Sequence, residues 1–261
     1  MTAMAHLKFL LLLLWVGVTV STVVDLRKRI YGGHDCQNER HYHVKVISQK
    51  GQKQSYCGGS LIHPRTLSEI VGVHPGPGQD QEVAKKKPYK QGFFHTLKTA
   101  VFSFFEKNIW KTNIFNRKHD IMLLELSEPL TGIQPVALPD CNKPPKIGDV
   151  VQVAGLGGYR VNATGHTLPG QPPHLQCADM HVVDCEPTRN SPCYSDVPYD
   201  NRLCLEEPNV DIRGGDSGGG VIYNNVIYGV FSGSGVRACT VPAVTVNVCS
   251  YMKWINQTIY P

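Results

Sequence analysis

Short β-type runs separated by glycine and proline, with no long stretch of helical periodicity, restrict this chain to an all-β architecture. His43 to Ser48, Val150 to Ala154, His181 to Val183, Gly220 to Tyr223, Val226 to Ser232 and Ala243 to Val248 read as strands. Only the tail, about Ser250 to Thr258, reads as a helix. Many short strands bounded by turn signals imply a barrel or a sandwich.

The N-terminus bears on compartment. Lys8 is followed by an apolar run from Phe9 to Val20, closed by Ser21 and Thr22. This is the pattern of a secretory signal peptide over residues 1–21, too short for a comfortable membrane span. No second apolar stretch follows, so the expected product is secreted and extracellular, without a membrane anchor. The remainder is long enough for one large or two small cores. Nine cysteines in a chain bound for an oxidising compartment argue for disulfides, and the odd count leaves at least one outside any internal pairing. Asn162-Ala163-Thr164 and Asn256-Gln257-Thr258 are glycosylation sequons, consistent with secretion. The net charge of +5 is too modest to suggest nucleic acid as a partner. Lys85-Lys86-Lys87 with Lys90 is dense enough for weak polyanion binding, although such a run is more often a solvated loop.

The chemistry lies in Gly214-Gly215-Asp216-Ser217-Gly218-Gly219. Glycines at these positions allow positive φ and bring N–H groups close to a reacting carbonyl, so a serine between them reads as a nucleophile. Three further motifs precede it. They are Arg29-Ile30-Tyr31-Gly32-Gly33, Tyr56-Cys57-Gly58-Gly59-Ser60-Leu61-Ile62, and Asp120-Ile121-Met122-Leu123-Leu124.

In this order the four motifs resemble those of the trypsin-like, chymotrypsin-fold serine proteases. The resemblance covers most of the chain after the signal peptide. It implies two packed antiparallel six-stranded β-barrels and a C-terminal helix. The division would be a propeptide at residues 22–29, an N-terminal barrel at about 30–139, and a second barrel with the helix at 140–261. It also implies peptide-bond hydrolysis through an acyl-enzyme, with Ser217 as nucleophile, Asp120 as the triad aspartate, and the N–H groups of Gly215 and Ser217 as the oxyanion hole. Cleavage after Arg29 would free the Ile30 ammonium to pair with Asp216. Asp211, with Ser232 and Ala243, would form the specificity pocket and favour substrate Lys or Arg. Ile212, Arg213, Gly233 and Ala243 depart from the trypsin pattern, and Arg213 would neutralise Asp211 if the two met. By the same resemblance Cys36 pairs with Cys177, Cys141 with Cys249 and Cys185 with Cys204, while Cys193 and Cys239 form a weaker candidate pair. No cofactor or metal is implied. The expected partners are protein or peptide substrates, protease inhibitors and an activating trypsin-like protease, and the expected state is a monomer.

One element of the family pattern is missing. The residues after Ile62 run through His63-Pro64-Arg65 into Thr66-Leu67-Ser68, which reads as the next strand rather than as the catalytic-histidine motif. The motif's cysteine goes with it, which leaves Cys57 outside the pairs above, and the N-terminal barrel could be incomplete. His119 adjoins Asp120, but neighbouring side chains in an extended segment point to opposite faces. His63 lies too early, His74 falls in a downstream strand, and His95 has no family counterpart. His41 and His43 have strand spacing and suit surface or interface positions. Lys90 to Asn116 contains six of the eight phenylalanines, a mix like that of translated AT-rich noncoding sequence. Residues 66–116 are therefore expected to depart from the family through alternative splicing or a faulty gene model. The competing reading is an aromatic partner-binding surface. Without a base the chain is expected to be a poor enzyme, and the alternative function is that of an inactive homologue that binds without cutting.

Overall fold

The computed structural model describes residues 30–68 except 38 and 51, residues 83–88, and residues 119–260 except 159, 169, 171–173, 192–193, 195–196 and 234–237. The strands are β1 His34–Asp35, β2 His43–Lys50, β3 Lys53–His63, β4 Thr66–Ser68, β5 Val83–Pro88, β6 Met122–Leu126, β7 Val150–Gly155, β8 Gln176–Val183, β9 Arg202–Glu206, β10 Gly220–Tyr223, β11 Val226–Gly233 and β12 Ala243–Asn247. A 3-10 turn at Val248–Tyr251 leads into helix α1, Met252–Ile259.

Two antiparallel sheets result. One has five strands in the order β2-β3-β4-β6-β5. The other has seven in the order β1-β8-β7-β10-β11-β12-β9, and an additional β8–β9 pairing closes β7 to β12 into a six-stranded barrel. The closed barrel is the one expected; the N-terminal sheet has five strands among the described residues and no closing pair. Closure follows from turns the chain can make. Asn224 and Asn225, both with positive φ (50° and 63°), form the two-residue turn that twists β10 into β11.

Several local expectations change. The strand read at 181–183 begins five residues earlier, at Gln176, because β8 pairs with β7 along its length as well as with β9. Lys85 to Lys87 are not in a loop: they belong to β5, with Lys85 opposite Glu125 of β6. His41 precedes β2 in a turn and is exposed, whereas His43 opens the strand and is 1% exposed, so they share no surface.

Apolar residues on alternate strand positions fill the closed barrel. Val151, Val153, Met180, Leu205, Val221 and Phe231 pack there, and the side chain of Ile30 is fully buried among them. A second cluster joins the two halves. Ile255 and Ile259, one turn apart on α1, pack with Ile62, Ile121 and Leu123 of the five-stranded half and with Val244 and Val246 of the barrel. Disulfides Cys36–Cys177, Cys141–Cys249 and Cys185–Cys204 form as expected. Cys239, proposed to bridge Cys193, is instead a free, exposed thiol, and Cys193 lies outside the described residues. Arg29, His74, His95, Lys90 and the aromatic segment up to Asn116 also lie outside them.

Candidate active site

The turn carrying Ser217 is held from three sides by backbone hydrogen bonds. The Asp216 amide donates to Arg213 O (2.9 Å), and the Gly219 amide donates to Asp216 O (2.9 Å). Gly218 N–H donates to Phe231 O (2.8 Å) on β11, Gly58 N–H on β3 donates to Ser217 O (2.7 Å), and Gly158 N–H donates to Gly214 O (2.9 Å). Gly215 and Gly218 have φ of +103° and +90°, values that disfavour any residue with a Cβ. The N–H groups of Gly215 and Ser217 make no hydrogen bond among the described residues. They remain available to an incoming oxyanion.

Asp216 lies beneath this turn and is fully buried. Its Oδ1 accepts from Gly157 N–H (2.6 Å) and its Oδ2 from Arg213 N–H (2.8 Å). Burial pushes its pKa up to about 7, and the two amides pull only partly in the other direction. A Cβ on Gly155 would lie 1.9 Å from Asp216 Oδ1, and one on Gly157 would lie 2.6 Å from both Oδ1 and Cγ. The glycines at 155 and 157 thus make the space for this carboxylate. They were not singled out from the sequence, where the signal was only a cluster of glycines after a strand.

Asp120 precedes β6 and accepts a 2.5 Å hydrogen bond on Oδ2 from the Ser232 hydroxyl of β11. Ser232, read as a pocket wall, therefore positions Asp120. Asp120, Ser217, Gly218, Ser232, Cys57, Ile121, Met122, Val230 and Phe231 line one cavity of about 270 Å³. Ser217 and Asp120, the expected nucleophile and triad aspartate, are thus brought to the same space. The histidines are not: the His119 ring packs edge-on against Tyr251 with Nδ1 2.7 Å from its hydroxyl, and His63 packs edge-on against Tyr260. None of the described histidines lines the cavity.

The residues expected in the specificity pocket line two different cavities. Asp211 and Ala243 line a separate cavity of about 280 Å³ with Met180, His181, Glu206 and Cys239, and neither Ser217 nor Ser232 belongs to it. The Arg213 guanidinium lies 3.2 Å from Asp211 Oδ2, with the two side chains 5% and 3% exposed. Arg213 Nε also donates to Thr167 Oγ1 (2.9 Å). Asp211 further accepts from the Cys239 amide (3.0 Å) and the Ile212 amide (2.8 Å). Burial raises its pKa, opposed by the Cys239 amide, the Arg213 charge and the Ile212 amide. The position that a tryptophan would occupy is Gly233, and a Cβ there would meet the ring of Tyr194 at 3.4 Å. Tyr194 is buried and donates to Pro242 O (3.3 Å); it had no sequence signal, because a lone tyrosine among prolines and serines reads as loop.

A barrel closed by β7 to β12, a Gly-Asp-Ser-Gly-Gly turn and an aspartate sharing its cavity are matched at the level of sequence: residues 30–255 match the trypsin family. The chain belongs to the trypsin family. It is 32% identical over 244 residues to beta-fibrinogenase mucrofibrase-5 of Protobothrops mucrosquamatus, covering 88% of this chain and 87% of that one. It is 27% identical over 253 residues to Vaa serine proteinase homolog 1 of Vipera ammodytes ammodytes, covering 88% and 87%. Among solved structures it resembles neuropsin, a serine protease expressed in the limbic system of mouse brain. That match has a TM-score of 0.66 at 22% identity and covers 87% of this chain and 98% of that one.

Proposed function

We propose that this trypsin-family chain is a secreted serine protease homologue that binds a protein or peptide ligand across the Ser217 cleft and, as written, does not cleave it efficiently. The observation that carries this reading is the cavity shared by Ser217 and Asp120, which none of the described histidines lines. Acyl transfer needs a base within hydrogen-bond reach of the nucleophile. Loss of the triad base costs on the order of 10⁶ in turnover, and an intact oxyanion hole with binding leaves roughly 10³ to 10⁴ over water. One relative carries the word homolog in its name, in keeping with such a role.

Processing after Arg29 and pairing of the new Ile30 ammonium with Asp216 belong to the same reading. They are supported by the burial of Ile30 and Asp216 in the barrel half. Preference for Lys or Arg is not part of it, since Asp211 is held by Arg213 and two amides. The partners that fit are a protease substrate, a receptor or a protease inhibitor. The disulfides and the apolar leader support secretion, and no helix among the described residues is long and apolar enough to cross a membrane.

The test is to cleave the purified chain after Arg29 and treat it with a fluorophosphonate beside a Ser217→Ala control. The expected result is a folded protein with labelling no faster than the control. Rapid labelling confined to the Ser217 form would instead establish a working endopeptidase.

A further inference from the structure

We infer that the cavity between Asp120 and Ser217 is a binding site for an imidazole ring, supplied by a histidine of the bound peptide, and that this ring restores proton transfer to the nucleophile. The inference rests on the reading above that none of the described histidines serves Ser217 as a base.

Three features of the cavity fit that ligand. Its volume of about 270 Å³ exceeds the roughly 150 Å³ that accepts a benzene-sized ring, which leaves room for a five-membered ring and the methylene that carries it. Its polar groups suit the two nitrogens of the ring. Asp120 Oδ2 is taken by Ser232, while Oδ1 has no donor among the described residues and can accept the ring N–H. The Ser217 hydroxyl makes no hydrogen bond among the described residues and can donate to the other nitrogen. Ile121, Met122, Val230 and Phe231 also line the cavity and give it an apolar part beside the two polar groups. A carboxylate on one nitrogen also selects the tautomer whose lone pair is aimed at the hydroxyl.

The chemistry balances without any other reagent. As Ser217 Oγ bonds to the peptide carbonyl carbon, its proton passes to the imidazole and the carbonyl π-electrons move to oxygen. The oxyanion faces the N–H groups of Gly215 and Ser217. When the C–N bond breaks, the imidazolium returns the proton to the departing amine. Water, deprotonated by the same ring, then releases the acyl group. Cleavage would therefore be confined to peptides that carry the histidine on the acyl side of the scissile bond, where the ring stays in place for both steps.

The probe is imidazole itself, titrated against the full chain cleaved after Arg29, with two readouts. NMR of ¹⁵N-labelled imidazole reports binding, and the rate of fluorophosphonate labelling reports proton transfer. In the second step the Oγ proton passes to imidazole as Oγ bonds to phosphorus and fluoride leaves. The expected result is saturable binding with a labelling rate that rises on the order of 100-fold or more along the same curve. Asp120→Asn should weaken both, and pyrrole, which has the shape but no basic nitrogen, should give no rise. Met122→Phe, which enlarges a half-buried side chain lining the cavity, should abolish binding while circular dichroism shows a folded protein. Slow labelling at every imidazole concentration, with no saturable binding, overturns this inference and leaves the proposed function standing. Fast labelling before any imidazole is added overturns the proposed function first, because the chain would then possess its own base.

Discussion

The Asp216 carboxyl is the most deeply buried acid among the described residues. Its ordinary pKa of 3.8 is raised to about 7 by complete burial, so the folded state holds its proton more tightly than the unfolded chain does. The stabilisation is therefore fully present below about pH 4 and is lost as pH rises through about 7. Urea midpoints of the uncut chain should fall across that window, and Asp216→Asn should flatten the profile. Cleavage after Arg29 should reverse the trend, since an ammonium beside the carboxylate favours its charged form. Arg213 presents a second case. With both side chains almost fully buried, Arg213→Ala leaves the Asp211 carboxyl with two backbone amides but no guanidinium partner, at a cost of about 3 kcal/mol in denaturant unfolding. The double change to Asp211→Asn and Arg213→Met should recover most of that loss. The spacing of Asp211 and Arg213 hinted at this pair, but whether residues two apart meet or diverge depends on the turn between them.

At the scale of elements, three segments distant in sequence meet at the turn carrying Ser217: Gly58 of β3, Phe231 of β11 and the loop at Gly157 and Gly158. The glycines in this region are not equivalent. A Cβ on Gly214 meets nothing within 4 Å, so Gly214→Ala should change stability by less than about 0.5 kcal/mol. Gly157→Ala would drive a methyl group into the Asp216 carboxylate and the adjacent backbone, and should lower stability by more than about 2 kcal/mol. Thermal or urea unfolding of the two variants side by side measures the difference. Strand positions were largely legible because alternation and β-branching are local signals. The extent of β8 and the strand at Lys85 to Lys87 were not, since each is defined by hydrogen bonds to a partner strand: β7 in one case and β6 in the other.

Over the whole molecule, the two halves differ in how their strand edges are treated. The closed barrel has none among β7 to β12, whereas β2 and β5 form the two edges of the five-stranded sheet. Amides of β10, β11 and β12 should accordingly exchange with deuterium at least ~100-fold more slowly than the outward amides of β2 and β5, as hydrogen-exchange mass spectrometry would resolve. The sequence by itself determined the family and the β architecture, and through the family resemblance it led to the three disulfide pairs. Family and architecture depend on residue types at fixed offsets along the chain, and such patterns survive without coordinates. Only the tertiary structure decided that Arg213 closes onto Asp211, that Ser232 hydrogen-bonds Asp120, and that Asp120 and Ser217 share a cavity which His119, turned onto Tyr251, does not line. Each of those facts is a distance between side chains on different strands, set by closure of the barrel and the packing of α1, and no local pattern encodes it.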